Sequence, residues 1–340
     1  MTNPQIDNII TSINEVRPLS RQREELLRRL LEHAVELAED DPHILDLKIA
    51  EASLAELVAA FDAFAPYRNI PKLTVFGSAR TPADHPLFAL AHDVGRAMAD
   101  LGWMIVTGAG PGIMEAAMAG AGRERSFGVN IRLPHEQGAN RIIAGDVKLV
   151  EMRYFFTRKV MLTKESGAFV VFPGGWGTQD ELFELLTLLQ NGKAEPAPVI
   201  LVDTPDGDYW SSWQQFTTHS LVESHYVSPG ADRFFTMATS TDDVVRDIAT
   251  FYRNFHSIRY VGDQLVIRHR HALSHEEIVG IQARFAGMCA TGTFEVRGPL
   301  GPEIADDDCL ELPRLVCTFN RLDYSALRAL IDAINESAVD

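Results

Sequence analysis

Between residues 70 and 255, short β-rich apolar runs alternate with amphipathic stretches, and this alternation most constrains the fold. The predicted strands are Leu73–Phe76, Met104–Thr107, Phe127–Ile131, Ala168–Phe172, Val199–Val202 and Phe234–Met237. The predicted helices are Pro86–Leu101, Ile113–Gly122, Phe156–Ser166, Glu181–Asn191, Trp210–Leu221 and Thr241–Phe255. Runs such as 168–172 are apolar on both faces, as buried parallel strands are. Repeated βα units predict a doubly wound, Rossmann-like α/β sheet, in which ligands bind at the carboxyl ends of the strands.

Two flanking regions have a different character. Residues 1–69 are predicted to form a helical extension, with apolar residues at helical spacing in Arg21–Glu39 and Ile44–Phe64. Residues 256–340 are predicted to form a small α+β appendage of order βαββα. The sequence therefore predicts three regions, 1–69, 70–255 and 256–340, with any chemistry in the second.

Charge and composition exclude several classes of protein. The formal net charge is −16, from 31 Lys plus Arg and 47 Asp plus Glu, so nucleic acids and anionic membranes are poor partners. The three cysteines, Cys289, Cys309 and Cys317, form no CxxC pair, which argues against a disulfide framework and a zinc–cysteine site. No apolar run is long enough for a membrane span, and charges interrupt the first thirty residues, where a signal peptide would need an apolar core. We expect a cytoplasmic protein.

Two glycine-containing loops follow the first two predicted strands. Gly77 and Ser78 leave room for a phosphate or a ribose near backbone N–H groups, although a plain turn explains them equally well. The second loop contains Gly108, Gly110 and Gly112, and it lets the backbone approach a ligand closely at the start of a helix. It lacks the third glycine and the later acid of a dinucleotide fingerprint, and it lacks the Gly-Lys-Ser/Thr of a P-loop. We interpret it as a mononucleotide or sugar-phosphate cradle, with a tight strand-to-helix turn as the alternative.

A third loop, Pro173–Glu181, follows the apolar strand at 168–172. Its glycines, Gly174, Gly175 and Gly177, can turn successive N–H groups toward an anion, and Thr178 adds a hydroxyl donor. The alternative is structural, because Thr178-x-x-Glu181 is also a capping-box pattern.

The helix before that loop carries Arg158 and Lys159. Such a pair is usually a solvated face. One strand and one turn nevertheless bring this helix beside the third loop, where a guanidinium can bind a phosphate through two parallel hydrogen bonds.

Together these motifs resemble the LOG ("Lonely guy") family of cytokinin-activating phosphoribohydrolases, some of which carry a lysine decarboxylase label. Pro173–Glu181 matches the family's Pro-Gly-Gly-x-Gly-Thr-x-x-Glu motif, and Arg158–Lys159 matches its Arg-Lys pair. The first two loops match as well, the second through Met114 and Glu115. The stretch Asn130–Asn140 is similar to the longer bacterial members. The resemblance covers about residues 70–255.

The resemblance implies hydrolysis of a nucleoside 5′-monophosphate to a free base and ribose 5-phosphate. Arg158 and Glu181 would be the catalytic pair, and the three loops would bind phosphate and ribose. The resemblance implies no metal or organic cofactor. It does imply a homodimer or a higher homo-oligomer. On the base side the candidates are Met114, Glu115, Tyr154 and Lys159. Compact members carry Met-His-Glu before the Arg-Lys pair, where this chain has Tyr154–Thr157, so the preferred base stays open between AMP-like purines and cytokinin nucleotides.

The chemistry of the residues agrees with this implication. Cleavage of an N-glycosidic bond builds positive charge on the ribose, which a fixed carboxylate stabilises. Three alternatives remain: a nucleotide or cofactor carrier without catalysis, a pyridoxal-dependent decarboxylase using Lys164 or Lys193, and an NAD dehydrogenase. The last two lack supporting signatures in the sequence.

Overall fold

The computed structural model describes residues 4–39, 41–132 and 138–337. By internal contacts the chain divides into two units, Met1–Val58 and Ala59–Asp340. The predicted boundaries at 69 and 255 are not tested by this division and stay predictions.

The first unit is helical. It contains α1 (Pro4–Val16), α2 (Arg21–Glu39) and most of α3 (Ile44–Phe64). An ion pair between Asp7 and Arg28 joins α1 to α2. In the described part of the chain, no helix is both long and apolar enough to cross a membrane.

The second unit is built on a parallel sheet of seven strands in the order β4-β3-β2-β1-β5-β6-β7. The strands are β1 (Lys72–Phe76), β2 (Met104–Thr107), β3 (Ser126–Ile131), β4 (Leu149–Met152), β5 (Ala168–Val171), β6 (Val199–Val202) and β7 (Thr236–Ala238). The helices between and after them are α4 (Pro86–Asp100), α5 (Ile113–Ala121), α6 (Phe155–Lys164), α7 (Trp176–Gln190), α8 (Tyr209–Thr217) and α9 (Thr241–Phe251). This is the predicted Rossmann-like α/β fold.

The core of the sheet lies where the sequence is apolar on both faces. All residues of β1, β2, β5 and β6 are buried. On one face, Val94 of α4, Ala117 of α5 and Ile248 of α9 belong to one apolar cluster with β1, β2, β5 and β6. On the other face, α7 contacts α6 through ion pairs and α8 through the rings of Phe183 and Trp213.

The remaining residues form a four-stranded antiparallel sheet with its own core. The strands are β8 (Phe255–Val261), β9 (Gln264–His269), β10 (Cys289–Arg297) and β11 (Arg314–Phe319), in the order β10-β11-β9-β8. The helices are α10 (His275–Phe285), α11 (Gly301–Asp306) and α12 (Tyr324–Glu336).

Several sequence-based element predictions were incomplete. The βαββα order for the appendage omitted β8, whose residues do not alternate regularly between polar and apolar, and the six-residue helix α11. Strand β4 was also missed, because it is a short edge strand with partly exposed residues. Helix α7 begins at Trp176, five residues before the predicted start at Glu181, because its first turn contains a glycine and the predicted start relied on apolar periodicity.

Candidate active site

The three glycine-containing loops meet at the carboxyl end of the sheet. They follow β2, β1 and β5, which are adjacent parallel strands. Ser78 joins all three, because its backbone N–H donates to the Pro173 carbonyl (3.1 Å) and its carbonyl accepts from the Ile113 N–H (3.1 Å). The predicted loops therefore form one continuous surface of backbone groups.

Close approach of the first two loops requires glycine at position 112. Gly112 has φ +68°, and a Cβ built there would lie 2.4 Å from the Ser78 carbonyl oxygen. Gly108 and Gly110 instead leave room for Met114, since added Cβ atoms would lie 3.1 Å from its Sδ and 2.6 Å from its Cε. Met114, predicted to lie on the base side, thus packs on the second loop.

A buried asparagine fixes the second loop from outside the motif. Asn140 donates its backbone N–H to the Ala109 carbonyl (2.8 Å) and its Nδ2 to the Gly110 carbonyl (3.0 Å). Ala109 is fully buried at φ +59°, an uncommon conformation for a residue with a side chain. Asn140 belongs to the stretch Asn130–Asn140 singled out by resemblance, of which residues 133–137 lie outside the described residues.

The third loop opens α7 without a capping side chain. Gly175 is the N-cap residue and makes no side-chain capping bond, so the capping-box interpretation of Thr178 and Glu181 is wrong. Thr178 lies inside the first turn, buried against Gly174, where an added Cβ would approach its Oγ1 to 2.1 Å. The first-turn N–H groups of α7 are therefore left for another acceptor.

Four helices of this unit are capped by side chains. His85, Ser240, Ser274 and Asp323 cap α4, α9, α10 and α12. Helices α5, α6 and α7, which begin at or beside the glycine loops, have no side-chain cap bond, and neither does α8. Uncapped N-termini and helix dipoles favour an anion at this edge.

Arg158 and Glu181 form an ion pair next to these loops. Arg158 extends from α6, its guanidinium lies 5.1 Å from the centre of the Phe155 ring, and an added Cβ at Gly108 would lie 3.7 Å from its Nη1. Only 13% of the Arg158 side chain and 8% of the Glu181 side chain are exposed. Within the described residues, the buried Nε of Arg158 has no hydrogen-bond partner.

The electrostatics of Glu181 are those of a buried carboxylate. Burial raises its pKa, and the opposing effects of Arg158 and Lys159 do not outweigh burial. A carboxyl group with a raised pKa beside a guanidinium with a donor to spare is an arrangement found at functional sites.

The remaining base-side candidates are engaged differently. Lys159 forms ion pairs with Asp180 (2.8 Å) and Glu184 (2.5 Å) on α7. Burial lowers the pKa of Lys159, but these two carboxylates outweigh it and raise the pKa.

Glu115 accepts from the exposed Arg141 at 3.1 Å. Tyr154 precedes α6, and its ring stacks on that of Phe156. Tyr154 lies one helical turn before Arg158, and its backbone carbonyl accepts a hydrogen bond from the Arg158 backbone N–H.

The lysines do not fit the decarboxylase alternative. A lysine that forms a Schiff base is activated by desolvation in an apolar pocket. Lys164, at the end of α6, is paired with Glu165, and Lys193 is exposed. Among the described residues, no group of three or more His, Cys, Asp or Glu side chains could hold a metal ion.

Sequence reasoning missed three residues behind the third loop. The Tyr209 hydroxyl donates to the Gly174 carbonyl (2.5 Å) and accepts from Gln179 Nε2 (2.7 Å). Asp203, at the end of β6, accepts the Tyr209 N–H (3.2 Å). The position of Asp203 and Tyr209 after β6, a strand adjacent to β5, was the available signal, because ligand sites in such sheets are built from these connections.

Comparison with known proteins gives concordant results. A family model described as "Possible lysine decarboxylase" matches residues 112–248. A cytokinin riboside 5′-monophosphate phosphoribohydrolase of Mycobacterium tuberculosis is 31% identical over 174 residues, which cover 50% of this chain and 90% of that protein. One from Arabidopsis thaliana is 30% identical over 115 residues, covering 34% of this chain and 50% of that protein.

Among solved structures, a molybdenum cofactor binding protein from Rippkaea orientalis is 20% identical and covers 52% of this chain and 94% of its own, with a TM-score of 0.37. That TM-score is too low to bear on function. The mycobacterial relative is matched over nearly its whole length, and the residues matched by the family model include the third glycine loop and the Arg158–Glu181 pair. The chain therefore belongs to the LOG family of phosphoribohydrolases.

Proposed function

We propose that this protein hydrolyses the N-glycosidic bond of nucleoside 5′-monophosphates, releasing the free base and ribose 5-phosphate. The observation that carries the proposal is the buried Arg158–Glu181 pair at the meeting point of three backbone loops. Relatives named cytokinin riboside 5′-monophosphate phosphoribohydrolase support the reaction class. AMP-like purine nucleotides are the favoured substrates, and cytokinin nucleotides are the second choice.

The phosphate would bind at the uncapped start of α7. The N–H groups of its first turn and the Thr178 hydroxyl are the donors available there. The glycine loops after β1 and β2 would face the ribose with backbone groups, as would Ser78. A substrate without its phosphate would lose several charge-assisted hydrogen bonds, each worth about 1.5–3 kcal/mol.

Glu181 would act on the ribose. As the bond between C1′ and the base nitrogen breaks, its electron pair leaves with the base and positive charge develops on the ribose ring. The ionised Glu181 stabilises that charge and accepts a proton from the attacking water, whose oxygen bonds to C1′. The departing base takes up a proton.

Arg158 would compensate the negative charges of Glu181 and the substrate phosphate. Its Nη2 donates to Glu181, while its Nε is buried without a partner among the described residues. A second acceptor on the substrate would satisfy that donor. The guanidinium would also offset the repulsion between the phosphate and Glu181.

The test is an incubation with a panel of nucleoside monophosphates and with adenosine, assayed for free base by chromatography and for ribose 5-phosphate. Glu181→Gln is expected to abolish release, whereas the exposed Glu124→Gln is expected to retain it. Equal turnover of adenosine and AMP would contradict phosphate anchoring. Tight binding of nucleotides without turnover would identify a carrier instead.

We further propose a homo-oligomer with the site near the subunit interface. Exposed apolar side chains lie on the two helices that carry the catalytic pair: Phe155, Phe156 and Val160 on α6, and Trp176 and Phe183 on α7. Trp176 is 93% exposed, which is unusual for a large aromatic side chain. Analytical ultracentrifugation of the protein and of Trp176→Ser tests this, and a monomeric wild-type protein would refute it.

A further inference from the structure

The side chain of Tyr209 ties together two parts of the third loop. Its hydroxyl donates to the Gly174 carbonyl (2.5 Å) and accepts from Nε2 of Gln179 (2.7 Å). Gly174 lies in the loop before α7, and Gln179 lies in the helix just after its first turn. One hydroxyl thus fixes the loop relative to the start of the helix.

The hydroxyl is itself held in place. Asp203 is 8% exposed, and its two carboxylate oxygens accept the N–H groups of Thr204 (2.8 Å) and Tyr209 (3.2 Å). The turn closes tightly on this carboxylate, since a Cβ at Gly207 would lie 2.2 Å from its Oδ1. The Tyr209 ring also packs edge-on against Trp210, with 4.8 Å between centroids. The buried Asp203 therefore fixes the backbone of Tyr209, and with it the position of the hydroxyl that binds the third loop.

The consequence for an anionic ligand follows from peptide geometry. A peptide unit between two glycines, here Gly174 and Gly175, rotates easily because neither residue has a Cβ. If it turned, its carbonyl oxygen would point toward a bound phosphate and repel it. The donors that would otherwise face the phosphate are the uncapped N–H groups at the start of α7.

We propose that Tyr209 is a positioning residue, whose hydroxyl holds the Gly174 carbonyl away from the substrate phosphate so that the first-turn N–H groups of α7 remain available to it. This inference rests on the proposed function, because it assigns the phosphate to this loop. The second loop offers a parallel, since Asn140 holds the Gly110 carbonyl in the same manner. In both loops a side chain from a neighbouring connection binds a carbonyl and leaves N–H groups for the ligand.

The expected signature is a loss of binding without a loss of chemistry. Tyr209→Phe removes one hydroxyl and leaves Arg158 and Glu181 in place. A hydrogen bond of ordinary strength corresponds to about a tenfold change in affinity. We expect KM for AMP to rise about tenfold and kcat to change less than twofold, the pattern of lost uniform binding.

The experiment compares the wild type, Tyr209→Phe and the matched control Tyr226→Phe, whose side chain is 79% exposed. Steady-state kinetics with AMP are measured together with calorimetric binding of ribose 5-phosphate. We expect Tyr209→Phe to weaken ribose 5-phosphate binding about tenfold and Tyr226→Phe to leave it unchanged. Asp203→Asn, which loses an acceptor for the Tyr209 N–H, provides a second route and is expected to shift binding in the same direction by about threefold.

The outcomes separate this inference from the proposed function. Unchanged ribose 5-phosphate binding in both Tyr209→Phe and Asp203→Asn would overturn the positioning role, and so would a lowered kcat with unchanged KM. A wild-type protein that binds ribose 5-phosphate but hydrolyses no nucleotide would refute the proposed function, while weaker binding in Tyr209→Phe would still support the role of Tyr209. A wild-type protein that does not bind ribose 5-phosphate would refute the anion site and this inference with it.

Discussion

The crossing of the first two loops at Gly112 yields a stability prediction with an internal control. In Gly112→Ala the new methyl group would lie 2.4 Å from the Ser78 carbonyl oxygen and 2.8 Å from the carbonyl carbon of Ala79. Both are backbone atoms, so no change of side-chain rotamer can relieve the overlap. In Gly122→Ala, at the other end of α5, the backbone also has positive φ (+78°), but no atom lies within 4 Å of the new methyl.

The two variants share backbone strain and differ in steric overlap. Strain at such a backbone conformation costs about 1–3 kcal/mol. Overlap in a packed region adds about 1–3 kcal/mol. We therefore expect Gly112→Ala to be less stable than Gly122→Ala by about 1–3 kcal/mol. At about 2–4 °C per kcal/mol for a domain of roughly 200 residues, a difference of several degrees in Tm should be visible.

The assay is denaturant unfolding of both variants beside the wild type, followed by ribose 5-phosphate binding of the folded proteins. Displacement of Ser78 would also disturb its bonds to Ile113 and Pro173, so Gly112→Ala should bind the ligand more weakly than Gly122→Ala. Equal stability and equal binding of the two variants would refute the tight crossing. Gly122→Ala being the less stable of the two would do so as well.

Three further predictions concern charge. Burial raises the folded pKa of Glu181 above its unfolded value, so the folded state binds more protons between the two values and stability falls as pH rises through that window. Glu181→Gln should therefore have a higher Tm than the wild type at neutral pH. The difference should disappear near pH ~4, where a glutamic acid is protonated. A Tm difference that does not change with pH would contradict this. For the same reason kcat/KM should fall on acidification with a midpoint above 4.5, the ordinary pKa of the side chain, and a pH–rate profile checks it. Glu303 and Arg314 form a fully buried ion pair (3.2 Å), so Glu303→Ala should destabilise by about 3–5 kcal/mol in denaturant unfolding. The exposed pair of Glu295 and Arg297 is the control, and Glu295→Ala should cost less than about 1 kcal/mol.

The sequence predicted the parallel sheet because its central strands are buried on both faces. Runs such as Val199–Val202 contain only apolar residues, and little else in a globular protein requires that pattern. The edge strand Leu149–Met152 gave no such signal, because half of its residues are at least partly exposed and Glu151 pairs with Arg132. Strand prediction therefore succeeded for the central strands, where burial dictates the residue type, and missed the partly exposed edge strand β4.

The candidate site divides in the same way. The glycine-rich motifs predicted the three loops and Glu181 as part of the site, because a backbone that must approach a ligand or another loop closely restricts the residue type to glycine. Arg158 and Glu181 were named together only through the family resemblance. Their direct ion pair needed the three-dimensional arrangement of α6 and α7, because 23 residues separate them in the sequence. Asn140 and Tyr209 were missed as members of the site because a loop asparagine and a tyrosine at the start of a helix are common, and only their contacts with Gly110 and Gly174 distinguish them.

Several local departures from ordinary protein chemistry lie at this edge of the sheet, and similar ones occur elsewhere in the described chain, where Asp307 and Arg321 have positive φ and desolvation raises the pKa of the Glu195 carboxyl group. Ala109 has positive φ, the Arg158 Nε is buried without a partner among the described residues, and Glu181 is a buried carboxyl group with a raised pKa. Helices α5 and α7, which start at the second and third glycine loops, lack side-chain caps, whereas α4, which follows the first loop, is capped by His85. Each departure costs folding free energy, and a sequence selected for stability alone would remove them with a serine or aspartate cap and an apolar pair. One ligand type would satisfy them together: an anion accepts the N–H groups and the Arg158 donor, and a cationic ribose centre needs the carboxylate. A phosphorylated sugar would meet each of these needs at this site, which agrees with the proposed substrate class.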